Sequence, residues 1–226
     1  MDRLSDEKII DSWRKNVTPW ISAVQDHQIE SRKLITDQAI IDSIMELGGS
    51  TILDIGCGEG WLARKLSSLG FNFFVFGVDV IPELIDEAKK NSNAEYQVLA
   101  YDNISNKTIT SKFDIAVCNF SLLGKESVES LFKVIPTLLN NGGHFIIQTP
   151  HPIISCGELK YKDGWREGSW AGFSSEFSDP APWYFRTIES WTTLFIENRF
   201  KINQLKEPVF QDTKKAASLI ISGCIS

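Results

Sequence analysis

The run T-I-L-D-I-G-C-G-E-G, residues 51–60, restricts this chain more than any other stretch. An apolar strand runs straight into glycines at alternate positions, Gly56, Gly58 and Gly60. Glycine lets the backbone turn tightly and approach a ligand where a Cβ would clash. The helix that follows presents its N-terminus to the same spot, and that end favours negative charge. In the dinucleotide fingerprint G-x-G-x-x-G the helix end faces a pyrophosphate. Here the third glycine comes one residue early and Asp54 stands ahead of the first. Such a turn suits a ligand without phosphates that carries an amino acid.

The order of elements around the turn predicts the fold. Residues 1–47 read as a helical cap, ending in Ile40, Ile41, Ile44 and Leu47 before a Gly48-Gly49 stop. Residues 48–149 read as an alternating core. After the strand at 51–53, Trp61, Leu62, Leu66 and Leu69 recur at helical spacing, with Gly70 as C-terminal cap. A second strand over 73–78 ends at Asp79, and Pro82 opens a helix. A third strand is expected over 96–100 and a fourth over 113–118. A helix over 126–139 must break or kink at Pro136. The fifth strand, 144–149, follows N-N-G-G. Residues 188–226 read as a helix near 188–199 and two strands, over 201–205 and 217–224.

Strands that are apolar throughout, alternating with helices, argue for a parallel sheet covered on both faces. The expected fold is α/β and Rossmann-like: a seven-stranded, mostly parallel sheet in a single domain. Residues 150–187 are too long for a plain connection. They carry Tyr161, Trp165, Trp170, Phe173, Phe177, Trp183, Tyr184 and Phe185, whereas a disordered linker is poor in aromatics. They read as an ordered substrate lid inserted after strand five.

Composition narrows the partners. The 226 residues are 42% hydrophobic and 23% charged, enough for a proper core. A formal net charge of −6 repels a phosphate backbone, which argues against nucleic acid as partner. Cys57, Cys118, Cys156 and Cys224 lie far apart with no C-x-x-C pair, so no metal site is expected and reduced thiols are the default. The acidic start M-D-R-L-S-D-E-K does not read as a signal peptide. No apolar run approaches the ~20 residues that span a bilayer. A cytoplasmic protein is expected, with a homodimer left open.

The run D-I-G-C-G-E-G, from Asp54 to Gly60, resembles the first motif of class I S-adenosylmethionine-dependent methyltransferases. Further positions extend the resemblance. Asp79, in F-G-V-D-V, ends the second strand, where an acid can accept both ribose hydroxyls of a nicotinamide cofactor or of S-adenosylmethionine. Asp102 follows strand three, where the family often keeps an acid for the adenine amino group. Asn119 and Phe120 close strand four, where the family lines the cofactor cleft. The string C-N-F-S there differs from the N-P-P-Y type of amino-methylating nucleic-acid enzymes, which points to small substrates. The string N-N-G-G-H-F-I-I-Q-T-P-H-P resembles the family's fifth-strand region. The resemblance covers residues 30–150 by motif and the last helix and strands by order.

The resemblance implies S-adenosyl-L-methionine as cofactor, with S-adenosyl-L-homocysteine as product. Its expected contacts are Arg32, Asp54, Gly56, Cys57, Gly58, Gly60, Asp79, Val80, Asp102, Asn103, Asn119 and Phe120. Arg32 lies in the pre-sheet helices that usually roof the cofactor, where a guanidinium can take the methionine carboxylate in a bidentate pair.

Methyl transfer is an in-line displacement at an activated carbon, so alignment and water exclusion are the main tasks. A hydroxyl or protonated amine must also lose a proton. Histidine suits that duty, and His151, directly after strand five, is the candidate; His27 and His144 are worse placed. Aromatic faces attract a sulfonium or amine by roughly 0.5–2 kcal/mol. Trp20, Tyr161, Trp165, Trp183 and Tyr184 are candidates for substrate contact, and Arg166 and Arg186 for gripping an acidic substrate group. The activity expected is methyl transfer to an oxygen or nitrogen of a small molecule, in a chain similar to the ubiquinone-pathway O-methyltransferases. The alternatives are an inactive, cofactor-binding partner subunit, an aminopropyl transferase, which needs no carboxylate anchor, or a nicotinamide oxidoreductase. The last would need the longer glycine spacing and, in its short-chain members, a Tyr-x-x-x-Lys pair that Tyr161 does not supply.

Overall fold

The computed structural model describes residues 2–70 and 72–225. Helices α1 (Asp6–Lys15) and α2 (Val17–Gln25) open the chain, and the Ser5 hydroxyl caps α1 by accepting the Lys8 N–H. A π-helical turn, Arg32–Thr36, runs directly into α3 (Asp37–Leu47), which stops at Gly48 in a left-handed conformation, φ 72°. The core then alternates: β1 (Thr51–Ile55), α4 (Trp61–Ser68), β2 (Phe74–Asp79), α5 (Pro82–Lys90) and β3 (Glu95–Val98). A 3₁₀ turn (Tyr101–Asn103) leads to β4 (Phe113–Asn119), α6 (Glu126–Val134) and β5 (Leu139–Pro150). The insertion holds α7 (Pro152–Ser155), β6 (Gly164–Arg166) and β7 (Trp183–Phe185). Helix α8 (Ile188–Glu197) and strands β8 (Phe200–Lys206) and β9 (Ser218–Ile225) follow.

The seven-stranded sheet has the order β3-β2-β1-β4-β5-β9-β8. Strands β1 to β5 are mutually parallel, and β9 runs antiparallel to both neighbours. This is the expected Rossmann-like architecture. Chain order reverses between β1 and β4, and in sheets of this kind ligands bind at the carboxyl ends of the strands beside such a reversal.

Most boundaries fall within two residues of the sequence reading, and two differ by more. Pro136 ends α6 early, and the chain passes into a 3₁₀ turn over Ile135–Thr137. The fifth strand begins at Leu139 rather than at 144, because Leu139 pairs with Phe113 before the register shifts.

Both sheet faces are covered, which is why the strands read as continuous apolar runs. On one face Leu53, Ile55, Phe113, Phe132, Phe145 and Phe195 pack under α6 and α8; on the other, Ile40, Ile41, Ile44, Ile52 and Leu62 pack under α3 and α4. Phe132 meets Phe145 and Phe195 edge-on, at centroid distances of 4.9 and 5.2 Å.

The insertion is anchored to the N-terminal helices. Asn16 donates from Nδ2 to the Ser178 carbonyl at 2.8 Å and accepts the Ser178 N–H at 2.9 Å. Trp170 packs edge-on against Trp13 and clusters with Phe173 and Phe177. No helix among the described residues is long and apolar enough to cross a membrane.

Candidate functional site

The glycine turn is bonded to the end of β2. The N–H groups of Gly56 and Cys57 donate to the Val78 carbonyl at 2.7 and 3.0 Å. All three glycines are left-handed, with φ of 74°, 57° and 83°. Their surroundings differ. A Cβ at Gly56 would lie 2.4 Å from the Ser121 Cβ, and one at Gly60 would lie 2.7 Å from the Tyr96 hydroxyl. At Gly58 the nearest atom is Trp20 Nε1, at 3.6 Å. Gly56 and Gly60 therefore answer to packing inside the chain, whereas Gly58 faces the aromatic roof. Asp79 fixes the turn from below: Oδ2 accepts the Gly58 N–H and Oδ1 accepts the Ile81 N–H, both at 2.9 Å. Burial raises its pKa against those backbone bonds.

Several buried polar atoms of the surrounding elements have no hydrogen-bond partner among the described residues. Asp54 Oδ2 is one, and the Asp54 pKa is pushed up to about 7, by burial first and then by the charges of Asp79 and Glu59. Asn119 Oδ1 and Gln148 Oε1 are two more, and these residues are register partners across β4 and β5. Asp54 pairs with Val117, which places it on the same sheet face as Asn119. The π-helical turn contributes Arg32 Nη2 and Thr36 Oγ1, also unpartnered. Arg32 donates from Nε to Asp37 at 2.9 Å, and its guanidinium lies 4.6 Å from the Trp61 ring and 5.9 Å from the Trp20 ring. Buried polar groups normally find partners, and π-turns are frequent at functional sites. A carboxyl acceptor and a guanidinium donor are the two groups that a zwitterionic amino-acid end requires.

Other expected contacts take different places. Asp102 and Asn103 are exposed on their 3₁₀ turn, and their neighbour Tyr101 takes the interior position, donating from its hydroxyl to the Ser121 carbonyl at 3.0 Å. Ser121 donates to the Ile55 carbonyl at 2.7 Å, so β1 and the loop after β4 are tied together beneath the turn. Cys57 is buried, which drives its thiol pKa up, and Val80 is half-buried after β2. Phe120 is left-handed at φ 54°, with its N–H on the Gln148 carbonyl. His151 is 4% exposed, its Nε2 lies 2.7 Å from Glu207 Oε1, and its Nδ1 has no partner.

The lid corrects several expectations. Arg166 donates to the carbonyls of Lys160 and Lys162. Arg186, 3% exposed, donates to those of Gly124 and Lys125 at 2.8 and 3.0 Å, held between the rings of Tyr184 and Trp191. Arg186, buried and bridging two carbonyls, is spent on structure rather than presented to a substrate, whereas Arg166 uses Nη2 alone for its bonds and its buried Nε has no partner among the described residues. Tyr161 accepts the Ile188 N–H at the start of α8. Trp165 packs edge-on against Tyr184 across the β6–β7 pair, and Trp183 against Phe185. Of the aromatics expected to contact substrate, Trp20 reaches the glycine turn. A cavity of about 610 Å³ opens elsewhere, between α6, α8 and the root of the lid. Sequence reasoning missed Thr36, Tyr101, Ser121, Gln148 and Glu207; only Gln148, a polar residue inside an apolar strand, left a readable signal.

A family model described as methyltransferase domain matches residues 47–199. A protein of Invertebrate iridescent virus 6, by provisional name methyltransferase 235L, is 31% identical over 157 residues, covering 67% of this chain and 56% of that protein. The ubiquinone biosynthesis O-methyltransferase of Cupriavidus pinatubonensis is 29% identical over 113 residues, covering 48% of this chain and 45% of its own length. The chain thus spans about half the length of these curated relatives. The crystal structure of an S-adenosylmethionine-dependent methyltransferase from Clostridium acetobutylicum matches 91% of this chain and 96% of that one, with TM-score 0.66 at 16% identity, a likeness of fold. The family match takes in more than half of the sequence and includes the glycine turn, so the chain belongs to the methyltransferase domain family and carries the class I S-adenosylmethionine-dependent fold.

Proposed function

We propose that this chain transfers a methyl group from S-adenosylmethionine to an oxygen or nitrogen of a small-molecule acceptor. The observation that carries the reading is two buried, unpartnered groups of opposite character on elements flanking the turn: Asp54 Oδ2 just before it, and Arg32 Nη2, whose guanidinium lies over the Trp61 ring just after it. S-adenosylmethionine supplies a methyl group on a sulfonium and an amino-acid end that is zwitterionic. Asp54 fits its ammonium and Arg32 its carboxylate. Each Asp79 oxygen already accepts one backbone N–H and keeps a further lone pair for a ribose hydroxyl. Trp20 and Trp61 flank Arg32 and shield its guanidinium. His151, at the end of β5, is the group that takes the acceptor's proton. The net charge of −6 and the ordered aromatic insertion support a small acceptor rather than nucleic acid.

The test is a melting experiment. S-adenosylhomocysteine at a hundredfold excess over its dissociation constant adds about 2.7 kcal/mol, which for a chain of this size is roughly 5–11 °C in Tm. Asp79→Ala is expected to abolish the shift. A shift with NADH and none with S-adenosylhomocysteine would refute the reading.

A further inference from the structure

We propose that Glu207 is a positioning residue: it holds His151 in the Nε2–H tautomer, so that the bare Nδ1 is the proton acceptor in methyl transfer. The proposal rests on the methyltransferase reading above and adds to it a residue from the far side of the sheet. His151 and Glu207 follow the carboxyl ends of β5 and β8. Both of those strands run antiparallel to β9 between them, and so parallel to each other. The two side chains meet at the edge where class I folds bind their ligands.

Both residues are held by their backbones. The His151 carbonyl accepts the N–H groups of Ile154 and Ser155, which closes the first turn of α7 behind Pro152. Glu207 is followed by Pro208, whose carbonyl accepts the Ala217 N–H, and by a bridge between Val209 and Ala216. The carboxylate can only accept, so the 2.7 Å contact requires a proton on Nε2. With that proton fixed, neutral imidazole has its lone pair on Nδ1, which is buried and without a partner. Buried side-chain polar atoms normally find a partner, and Nδ1 is the ring nitrogen left over for a proton that comes from outside the chain. This arrangement, a carboxylate orienting an imidazole whose other nitrogen is free, is that of a general base.

The step balances. The acceptor's oxygen or nitrogen lone pair forms the bond to the methyl carbon as the carbon–sulfur bond breaks, its electron pair remaining on sulfur. His151 Nδ1 takes the acceptor's proton and becomes imidazolium, and the Nε2–H stays on Glu207, whose charge stabilises the cation.

The chain has three histidines, His27, His144 and His151, so ¹⁵N-histidine NMR of the full protein is tractable, with His151→Gln assigning the resonance. The expected spectrum shows His151 protonated at Nε2 and bare at Nδ1. Glu207→Ala should mix the tautomers, while Glu207→Gln, which keeps an acceptor oxygen, should restore the pattern. Turnover is followed as tritiated methyl transferred from S-adenosylmethionine to the deproteinised small-molecule fraction of a cell lysate. It should fall ten- to a hundredfold in Glu207→Ala and recover in part in Glu207→Gln, with the KM for S-adenosylmethionine unchanged. An unchanged tautomer in Glu207→Ala, or a changed tautomer with turnover intact, overturns the proposal. The S-adenosylhomocysteine shift of the wild type is separate: its absence refutes the cofactor reading, whereas its presence in Glu207→Ala shows that the lesion is confined to the proton acceptor.

Discussion

Asp54 carries a buried carboxyl whose Oδ2 finds no partner among the described residues. Its pKa rises from 3.8 to about 7, so the sign of its effect on stability is fixed. Between about pH 4 and pH 7 the folded state keeps a proton that the unfolded state has lost, and stability falls as pH rises. Above about 7 the whole cost is present, on the order of 4 kcal/mol from a shift of this size. Asp79, raised by burial as well, tilts the profile the same way. Asp54→Asn removes the Asp54 part. It is expected to melt higher than the wild type at pH 8 without ligand and to lose most of its stabilisation by S-adenosylhomocysteine. An ammonium beside Asp54 favours the ionised carboxyl, so affinity for S-adenosylhomocysteine should strengthen from pH 6 to pH 8. A pH series of melting curves with and without ligand reads all three effects, and a pH-independent affinity would show that Asp54 does not meet the cation. At Arg32 the fork matters as much as the charge. Nε is committed to Asp37 and Nη2 is free, so Arg32→Lys should weaken cofactor binding about as much as Arg32→Ala, a comparison that titration calorimetry makes directly.

At the scale of elements, the arginine of β7's exit does the work expected of a core residue. Arg186 joins the lid to the loop before α6 through two carbonyls and two rings. Arg186→Met keeps the length and removes the donors, leaving the Gly124 and Lys125 carbonyls short of partners. The expected loss is about 2–4 kcal/mol, measured by urea unfolding, with the dissociation constant of S-adenosylhomocysteine unchanged. Arg186 illustrates where sequence reading stopped. Charge is by default solvated, and nothing local tells that this guanidinium lies among Tyr184 and Trp191. The five parallel strands were legible because both faces are covered and the apolar runs are unbroken. The glycine turn and Asp79 were legible because their contacts are local to one βαβ unit. Glu207 was not, since its partner His151 is brought to it only by the insertion of β9 between two distant strands. Asn119 was legible from its place at the end of β4, whereas Gln148 becomes informative only when the register sets the two side by side.

Across the whole molecule, the helical cap and the insertion act as one roof. The Asp6 carboxylate accepts the N–H groups of Lys125 and Ser127 at 2.8 and 2.7 Å, fixing the start of α1 to the loop after β4. Ten residues on, Asn16 is bonded to Ser178, and its Nδ2 also reaches the Ser12 carbonyl at 2.8 Å. Lys8 and Lys15 close on Asp179 and hold its carboxyl down at about 2. Those lysine pairs are partly solvated and contribute little, so the coupling rests on buried Asn16 and Ser12, whose hydroxyl donates to the Asp179 carbonyl at 2.5 Å, and on Trp13 against Trp170. The same α1–α2 segment carries Trp20 to within reach of Gly58, so displacing the insertion is expected to uncover the glycine turn as well. Asn16→Ala removes both bonds to Ser178, a loss of about 2 kcal/mol, and the segment at 170–180 should be cleaved faster by a protease in limited digestion. Because the cut reports the population of the open roof, S-adenosylhomocysteine should slow it in the wild type and, from a higher starting rate, in Asn16→Ala as well. Equal cleavage rates in the two proteins would mean that cap and lid move independently, and ligand protection confined to residues 1–47 would mean that the lid does not close over the cofactor.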